Sequence, residues 1–354
     1  MTGKPIAITL GDPSGIGPEI IAKAFRDAPQ VTEGCFVVGD VATLRRAVGF
    51  VSGSAIPLAV ALIEEPVQAL RSPPRCIPVF QPEGATAPFV VGQVNADSGR
   101  AAGQCIVWAA DAALRGDVAA IVTAPIHKEA LALAGAPYAS FPGHTEMLQA
   151  QAAQYLGKSI AAVPVRMMLA NHELKVVLVS IHLSLVDAIQ AVTFDNVLQT
   201  LQITHTALSS TLGRAPHIGV AGLNPHAGEG GLFGRDEIQI ISPAIAAARL
   251  QGIDAHGPYA PDTVFMRART SATQVGEFDV VVAMYHDQGL IPVKYLGVDK
   301  GVNVTLGLPM VRTSPDHGTA FDIAGSGRAD PSSLLRAVRM ARLLVAGPGS
   351  VRSA

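Results

Sequence analysis

Three histidines stand where short apolar runs give way to turns: His182 in VVLVSIHLSL, His226 in IGVAGLNPHAGEGG and His286 in FDVVVAMYHDQG. Runs of this kind, rich in β-branched residues, suit strands buried on both faces of a sheet. The rim beyond such strands is where ligands bind in open α/β sheets. Three imidazoles converging there would hold a metal and leave room for a substrate. Zn²⁺, Co²⁺, Ni²⁺ or Mn²⁺ would suit them better than Mg²⁺. Each histidine can equally be a hydrogen-bonded structural residue. Asp287, next to His286, can orient a ligand from behind or cap its own loop. Asp262, in GPYAPDTVF, can do the same, contact substrate, or cap its own loop.

Other groups suit anions. PGHTE, residues 142–146, puts His144 and Thr145 at the start of a helical pattern. The helix dipole there favours a phosphate or carboxylate, though Thr145 can also be a plain cap. GDPSGIGPE, Gly11 to Glu19, opens a helix after a strand, as an anion cradle or as a tight turn. It lacks the G-x-G-x-x-G spacing of a Rossmann fingerprint. Lys294, Asn303 and Arg312 fall among strand-like segments, either converging on an anionic substrate or standing as solvated edge positions. HGTAFDIAG, from His317, gathers small residues and an Asp in one loop, suited to close contact with a nucleotide or to simple connection.

The elements that must position these groups alternate. PIAITL, FVVGD, AAIVTAP, VRMMLA, KVVLVSI, HIGVAGL, FDVVVAMY and VNVTLGL read as strands, with VRMMLA and KVVLVSI paired. Helical patterns follow Pro18 and run over 99–115, 145–157, 187–212 and 235–252, with a last one in PSSLLRAVRMARLLV. Residues 48–90, broken by Gly, Ser and Pro, predict a short hairpin and loops. Strands alternating with helices predict an α/β fold with a largely parallel sheet.

The 354 residues are 49% hydrophobic and only 15% charged, with a net charge of -2. That composition fits a compact α/β protein with a large core and excludes a basic nucleic-acid-binding surface. Cys35, Cys76 and Cys105 form no pair with metal or disulfide spacing, which suits a reducing cytoplasm. No window reaches the roughly 18 apolar residues of a membrane span, and the N-terminal apolar run is too short for a signal peptide. A cytoplasmic protein is expected.

GDPSGIGPE and HGTAFDIAGSGRADP resemble the two signatures of the β-decarboxylating dehydrogenases, such as isocitrate and isopropylmalate dehydrogenases. FPGHTE, LNPHAGEGG, AMYHDQGLIPVKYLG and GVNVTLGLPMVRTSPDHGTA resemble the 4-hydroxythreonine-4-phosphate dehydrogenase (PdxA) family, over about residues 5 to 343. The resemblance implies a two-subdomain α/β/α fold, not a Rossmann fold. Residues 1–135 with 305–354 would form the cofactor side. Residues 136–304 would carry the metal, substrate and dimer interface. It implies a homodimer whose metal is held by histidines from both subunits; here these are His182, His226 and His286. It implies substrate contacts at His144, Thr145, Lys294, Asn303 and Arg312, and catalytic or site-maintaining roles for Lys294, Asp262 and Asp287. It places NAD against His317, Gly318, Thr319, Ala320 and Asp322.

The expected reaction is metal-assisted oxidation of a secondary hydroxyl by NAD⁺ with linked decarboxylation. Lys294 would transfer the proton and Arg312 would fork onto a carboxylate. Two departures bear on substrate. The vitamin B6 enzymes read TGHTE where this chain has Pro142, and often carry a basic residue where this chain has Val186. Relatives acting on 4-phosphothreonate, 4-phosphoerythronate or the cis-dihydrodiol of terephthalate therefore stay open. So do a metal-dependent hydrolase, which leaves the HGTAFDIAG loop unexplained, and a catalytically dead binding protein.

Overall fold

The computed structural model describes residues 3–51, 58–85, 88–297 and 301–347. Its strands, in chain order, are β1 (Ile6–Thr9), β2 (Cys35–Val38), β3 (Ala59–Leu62), β4 (Cys76–Phe80), β5 (Ala120–Thr123), β6 (Arg166–Ala170), β7 (Lys175–Leu178), β8 (Ile218–Ala221), β9 (Ala255–Tyr259), β10 (Val280–Ala283), β11 (Val302–Leu306) and β12 (Val311–Pro315). They fall into two units: Met1–Pro164 with Leu308–Ala346, and Val165–Gly307 with Gly347–Ala354.

In the first unit the strand order is β3-β4-β2-β1-β5-β12, and every pairing is parallel. β1, β2 and β5 are buried along their whole length, which is why they read as continuous apolar runs. The long helix Ala96–Arg115 packs on the sheet. The Asn95 side chain accepts from Ser98 N at its start, and left-handed Gly116 ends it. Gly99 on this helix has no room for a side chain, since a Cβ would meet Ala130 O at 1.9 Å. The helix Lys128–Leu133 therefore packs backbone to backbone against it.

The helix His144–Tyr155 also belongs to this unit, its Met147 and Leu148 buried in the same cluster as Ile106 and Ala109. The division thus falls at 164 rather than at the expected 135. Apolar contact with Ala96–Arg115, rather than chain order, decides the membership. Thr145 is not the cap of that helix: the helix begins at His144, after extended Gly143, with no side-chain cap.

The second unit has the order β11-β6-β7-β10-β8-β9. β7, β10, β8 and β9 are parallel, and β6 runs antiparallel to both β7 and β11. The expected pairing of VRMMLA with KVVLVSI is therefore present. The single helix expected over 187–212 is two, Leu185–Gln190 and Phe194–Leu212. Thr193 breaks it by capping the second: its Oγ1 accepts from Asn196 N at 3.3 Å.

The hairpin expected within 48–90 is absent among the described residues. β3 and β4 pair in parallel, joined through a 3₁₀ segment, Pro66–Arg71. Parallel neighbours need such a crossover, and turn residues in the sequence do not distinguish it from a hairpin. Residues 52–57 and 86–87 of that stretch lie outside the described residues. The three cysteines are free and buried. No helix among the described residues is long and apolar enough to cross a membrane.

Candidate active site

In the second unit β7, β10 and β8 are adjacent and parallel, so their C-terminal ends share one rim. His182, His286 and His226 lie just beyond those three ends. Hydrogen bonds tie the turns together. Ser180 Oγ donates to Met284 O at 3.1 Å, Met284 N to Gln288 Oε1 at 2.7 Å, and Gln288 Nε2 to Gly222 O at 2.8 Å. Ser180 and Gln288 carry no signal in the sequence, because their partners lie on other strands.

The rings of His182 and His286 stand 5.9 Å apart. Nδ1 of His286 is 2.6 Å from Asp287 Oδ1, so the adjacent carboxylate fixes the ring and leaves Nε2 to the rim. His226 does not join them within one chain: among the described residues, the trio is not a cluster with ligand atoms within 4.8 Å of one another. His226 instead faces Glu229, 3.5 Å away.

The loop bearing His226 is strained and strongly held. His226, Ala227 and Glu229 all have positive φ, a conformation costing about 1–2 kcal/mol per non-glycine residue. Glu237, 2% exposed, clamps the loop. It accepts from Leu223 N at 2.8 Å, Asn224 N at 2.7 Å and Asn224 Nδ2 at 3.0 Å. Gly228 and Gly234 pass close by, and a Cβ at either would collide with Glu237 or with Asn224.

Lys294 lies on the helix His286–Tyr295, which also carries His286. Asp262 follows the end of β9, the next strand along the same rim. Asn303 is placed elsewhere. It pairs with Leu169, which pairs with Val176, so it is level with the start of β7, at the strand end opposite the histidine turns.

In the first unit, Arg312 is 3% exposed and donates through Nε and Nη2 to Thr123 Oγ1, at 3.2 and 2.8 Å. Burial lowers its pKa to about 10, opposed by Glu146, so it stays cationic at neutral pH. His144 is held well below the ordinary histidine range by burial and by Arg312, and its Nε2 is buried without a partner. A neutral imidazole with an open nitrogen beside a buried guanidinium suits an anion carrying acceptor oxygens.

The two dehydrogenase-like motifs meet in this unit. Ile16 N donates to Thr319 O at 3.0 Å, and Glu19 accepts from Gly327 N at 2.9 Å and from Gly325 N. Ser14 N and Gly15 N are spent on Asp12, so the GDPSGIGPE turn is not an anion cradle. It is a tight turn that shapes the 317–327 loop. Asp12 Oδ2 and His127 Nδ1 are buried without partners, as is His317 Nε2. The His127 ring stacks on Phe321 at 4.9 Å. Open polar valences beside a glycine-rich loop suit a ligand with donors and acceptors of its own.

The α/β fold, the paired signatures and these sites define an enzyme of the dehydrogenase class. The family model of the pyridoxal phosphate biosynthetic protein PdxA matches residues 32–341. A 4-hydroxythreonine-4-phosphate dehydrogenase of Beijerinckia indica is 52% identical over 94% of this chain and 93% of its own. A D-threonate 4-phosphate dehydrogenase of Salmonella typhimurium is 44% identical over 97% of this chain and all of its own (100%). The crystal structure of the 4-hydroxythreonine-4-phosphate dehydrogenase from Klebsiella pneumoniae has a TM-score of 0.83 at 40% identity, covering 97% of this chain and 99% of that one. That of a terephthalate 1,2-cis-dihydrodiol dehydrogenase from Burkholderia xenovorans has 0.62 at 31%, covering 96% and 97%. The chain belongs to the PdxA family.

Proposed function

We propose that the protein oxidises the secondary hydroxyl of a small phosphorylated hydroxy acid with NAD⁺, of the 4-hydroxythreonine 4-phosphate or D-threonate 4-phosphate kind, and that the β-keto acid formed loses CO₂. The observation that carries this reading is the buried Arg312–Thr123 pair beside neutral His144, a site built for a fixed anion. The relatives at 52% and 44% identity are named for phosphorylated substrates, against 31% for the dihydrodiol enzyme. That favours phosphate despite Pro142 and Val186.

His182 and His286 would hold a divalent ion, Zn²⁺, Co²⁺, Mn²⁺ or Ni²⁺, which lowers the hydroxyl pKa and stabilises developing negative charge. Asp287 keeps the His286 ring in register. Lys294 would receive the hydroxyl proton, and bound NAD⁺ would supply the hydride acceptor. Arg312 and His144, with Thr145 at the same helix start, hold the acidic group. The loop from His317 through Gly318, Thr319 and Ala320 to Asp322 would hold NAD.

A second copy of the chain would supply His226 as the third imidazole. Each histidine-bearing segment exposes large apolar residues: Leu183, Leu185 and Val186 beside His182, Leu232 and Phe233 beside His226, Ile291 and Tyr295 beyond His286. Such surface next to metal ligands suits a homodimer interface.

The test is NADH formation with added Zn²⁺, Co²⁺ or Mn²⁺ across 4-hydroxythreonine 4-phosphate, 4-phosphothreonate, 4-phosphoerythronate and the terephthalate dihydrodiol. Turnover of a phosphorylated substrate supports the reading. Turnover of the dihydrodiol alone overturns it.

A further inference from the structure

The N-terminal end of the second unit's sheet, opposite the histidine rim, carries its own constellation. His217 precedes β8, while Asp254 precedes and His256 lies within β9. The parallel register Ile218↔Ala255 and Gly219↔His256 brings all three to one corner. Asp254 lies between the two rings, with Oδ2 2.8 Å from His217 Nδ1 and Oδ1 2.6 Å from His256 Nε2. The ring centroids are 4.6 Å apart. Among the described residues this is the one group of three His, Cys, Asp or Glu with ligand atoms all within 4.8 Å of one another.

The corner is built, not incidental. Gly219 leaves no side chain below His217, and a Cβ there would meet the Phe278 ring at 2.8 Å. Phe278 uses that space to stack on His217 at 5.0 Å, fixing its plane. Asp279, beside it, takes the His217 backbone N–H at 2.7 Å. Each ring aims a nitrogen at the same carboxylate, although a hydrogen-bonded surface needs only one.

We propose that His217, Asp254 and His256 form a second metal site, a clip for Zn²⁺ or another borderline ion such as Ni²⁺ or Cu²⁺, which pins edge strand β9 to β8. Two imidazole nitrogens and a carboxylate are the donor set those ions prefer, and water completes the tetrahedron at the half-exposed face. Zinc bonds of about 2.0–2.1 Å set the donors roughly 3.3 Å apart, so the corner opens by about half an ångström to admit the ion. Each imidazole proton moves through solvent to the outer nitrogen. Arg249 Nη2, 3.0 Å from His256 Nδ1, must then turn away, while its Nε keeps Ala255 O. Arg249 thus competes with the metal. The site shares no residue with the rim of His182, His226 and His286, so it stands whether or not the catalytic reading does.

The test uses the full-length protein, stripped with a chelator, loaded with Zn²⁺ and desalted, with zinc counted per chain and Tm measured. His256→Asn and Asp254→Asn are each expected to lose one equivalent relative to wild type, and part of the zinc-induced rise in Tm, with NADH formation unchanged. Arg249→Gln is expected to bind that equivalent at least tenfold more tightly. His286→Ala must retain it, which separates this site from the catalytic one. His217→Gln serves should either variant fold poorly. Unchanged zinc in both His256→Asn and Asp254→Asn overturns the proposal and leaves a hydrogen-bonded corner.

Discussion

The carboxylate of Asp287 lies 2.6 Å from Nδ1 of the neighbouring His286, at the first turn of a helix that begins on the histidine rim. This contact selects which imidazole nitrogen faces the rim. Asp287→Asn keeps the shape but lets the ring turn or change tautomer, which typically weakens metal affinity roughly 10- to 100-fold. Zinc competition with a chromogenic chelator measures it. Wild-type affinity in Asp287→Asn would mean that the pair does not orient the ring.

Arg312 is a fork, and its replacement by lysine exchanges two fixed donors for a point charge. A lost charge-assisted hydrogen bond is worth about 1.5–3 kcal/mol, hence roughly a 10- to 150-fold rise in KM for the phosphorylated substrate. Steady-state kinetics of Arg312→Lys should show that rise with a smaller change in kcat. Unaltered KM would remove Arg312 from the anion site.

Glu237→Ala leaves Leu223 N and Asn224 N without their acceptor and the positive-φ loop without its clamp. A loss of about 3 kcal/mol is expected in denaturant unfolding. Metal stoichiometry should fall with it, since His226 rides on that loop. Unchanged stability would show that the loop holds itself.

Asp12 has its pKa raised to about 6, chiefly by burial, against 3.8 for the free side chain. Its folded form therefore holds the proton more tightly than its unfolded form. The contribution is fully present below about pH 4 and is lost as pH rises from about 4 through 6. The full difference is about 3 kcal/mol. Asp12→Asn should flatten that window in urea titrations at several pH values. A slope unchanged from wild type would assign the pH dependence to other groups.

Val186 is 65% exposed on the helix after His182. Charge placed there, as in Val186→Asp, should split the proposed homodimer and take zinc binding at the rim with it. Light scattering together with zinc analysis would show this. A variant that stays dimeric moves the interface elsewhere.

The strands were legible because their composition reflects burial on both sides: VVLVS and DVVVA can be little else. The histidines were legible because they stand just past those runs. Ser180, Gln288 and Glu237 were not legible. Each works on a partner brought near by a neighbouring strand or a folded-back loop, and a single chain does not print strand order. The corner of His217, Asp254 and His256 was missed for the same reason, since 37 residues separate His217 from Asp254.

The chain's local pattern dictates the α/β alternation, the motifs of the PdxA family and the residue types at the histidine rim and around Arg312. Those follow from local periodicity and from side-chain chemistry. Packing of the fold decided that β7, β10 and β8 adjoin, that the His182 and His286 rings stand together while His226 is apart, and that Asn303 lies near the start of β11, at the strand end opposite the histidine turns. It also decided that the GDPSGIGPE turn spends its N–H groups on its own chain. Sheet order, register and hydrogen-bond partnership are long-range outcomes of packing, settled by which apolar faces bury each other.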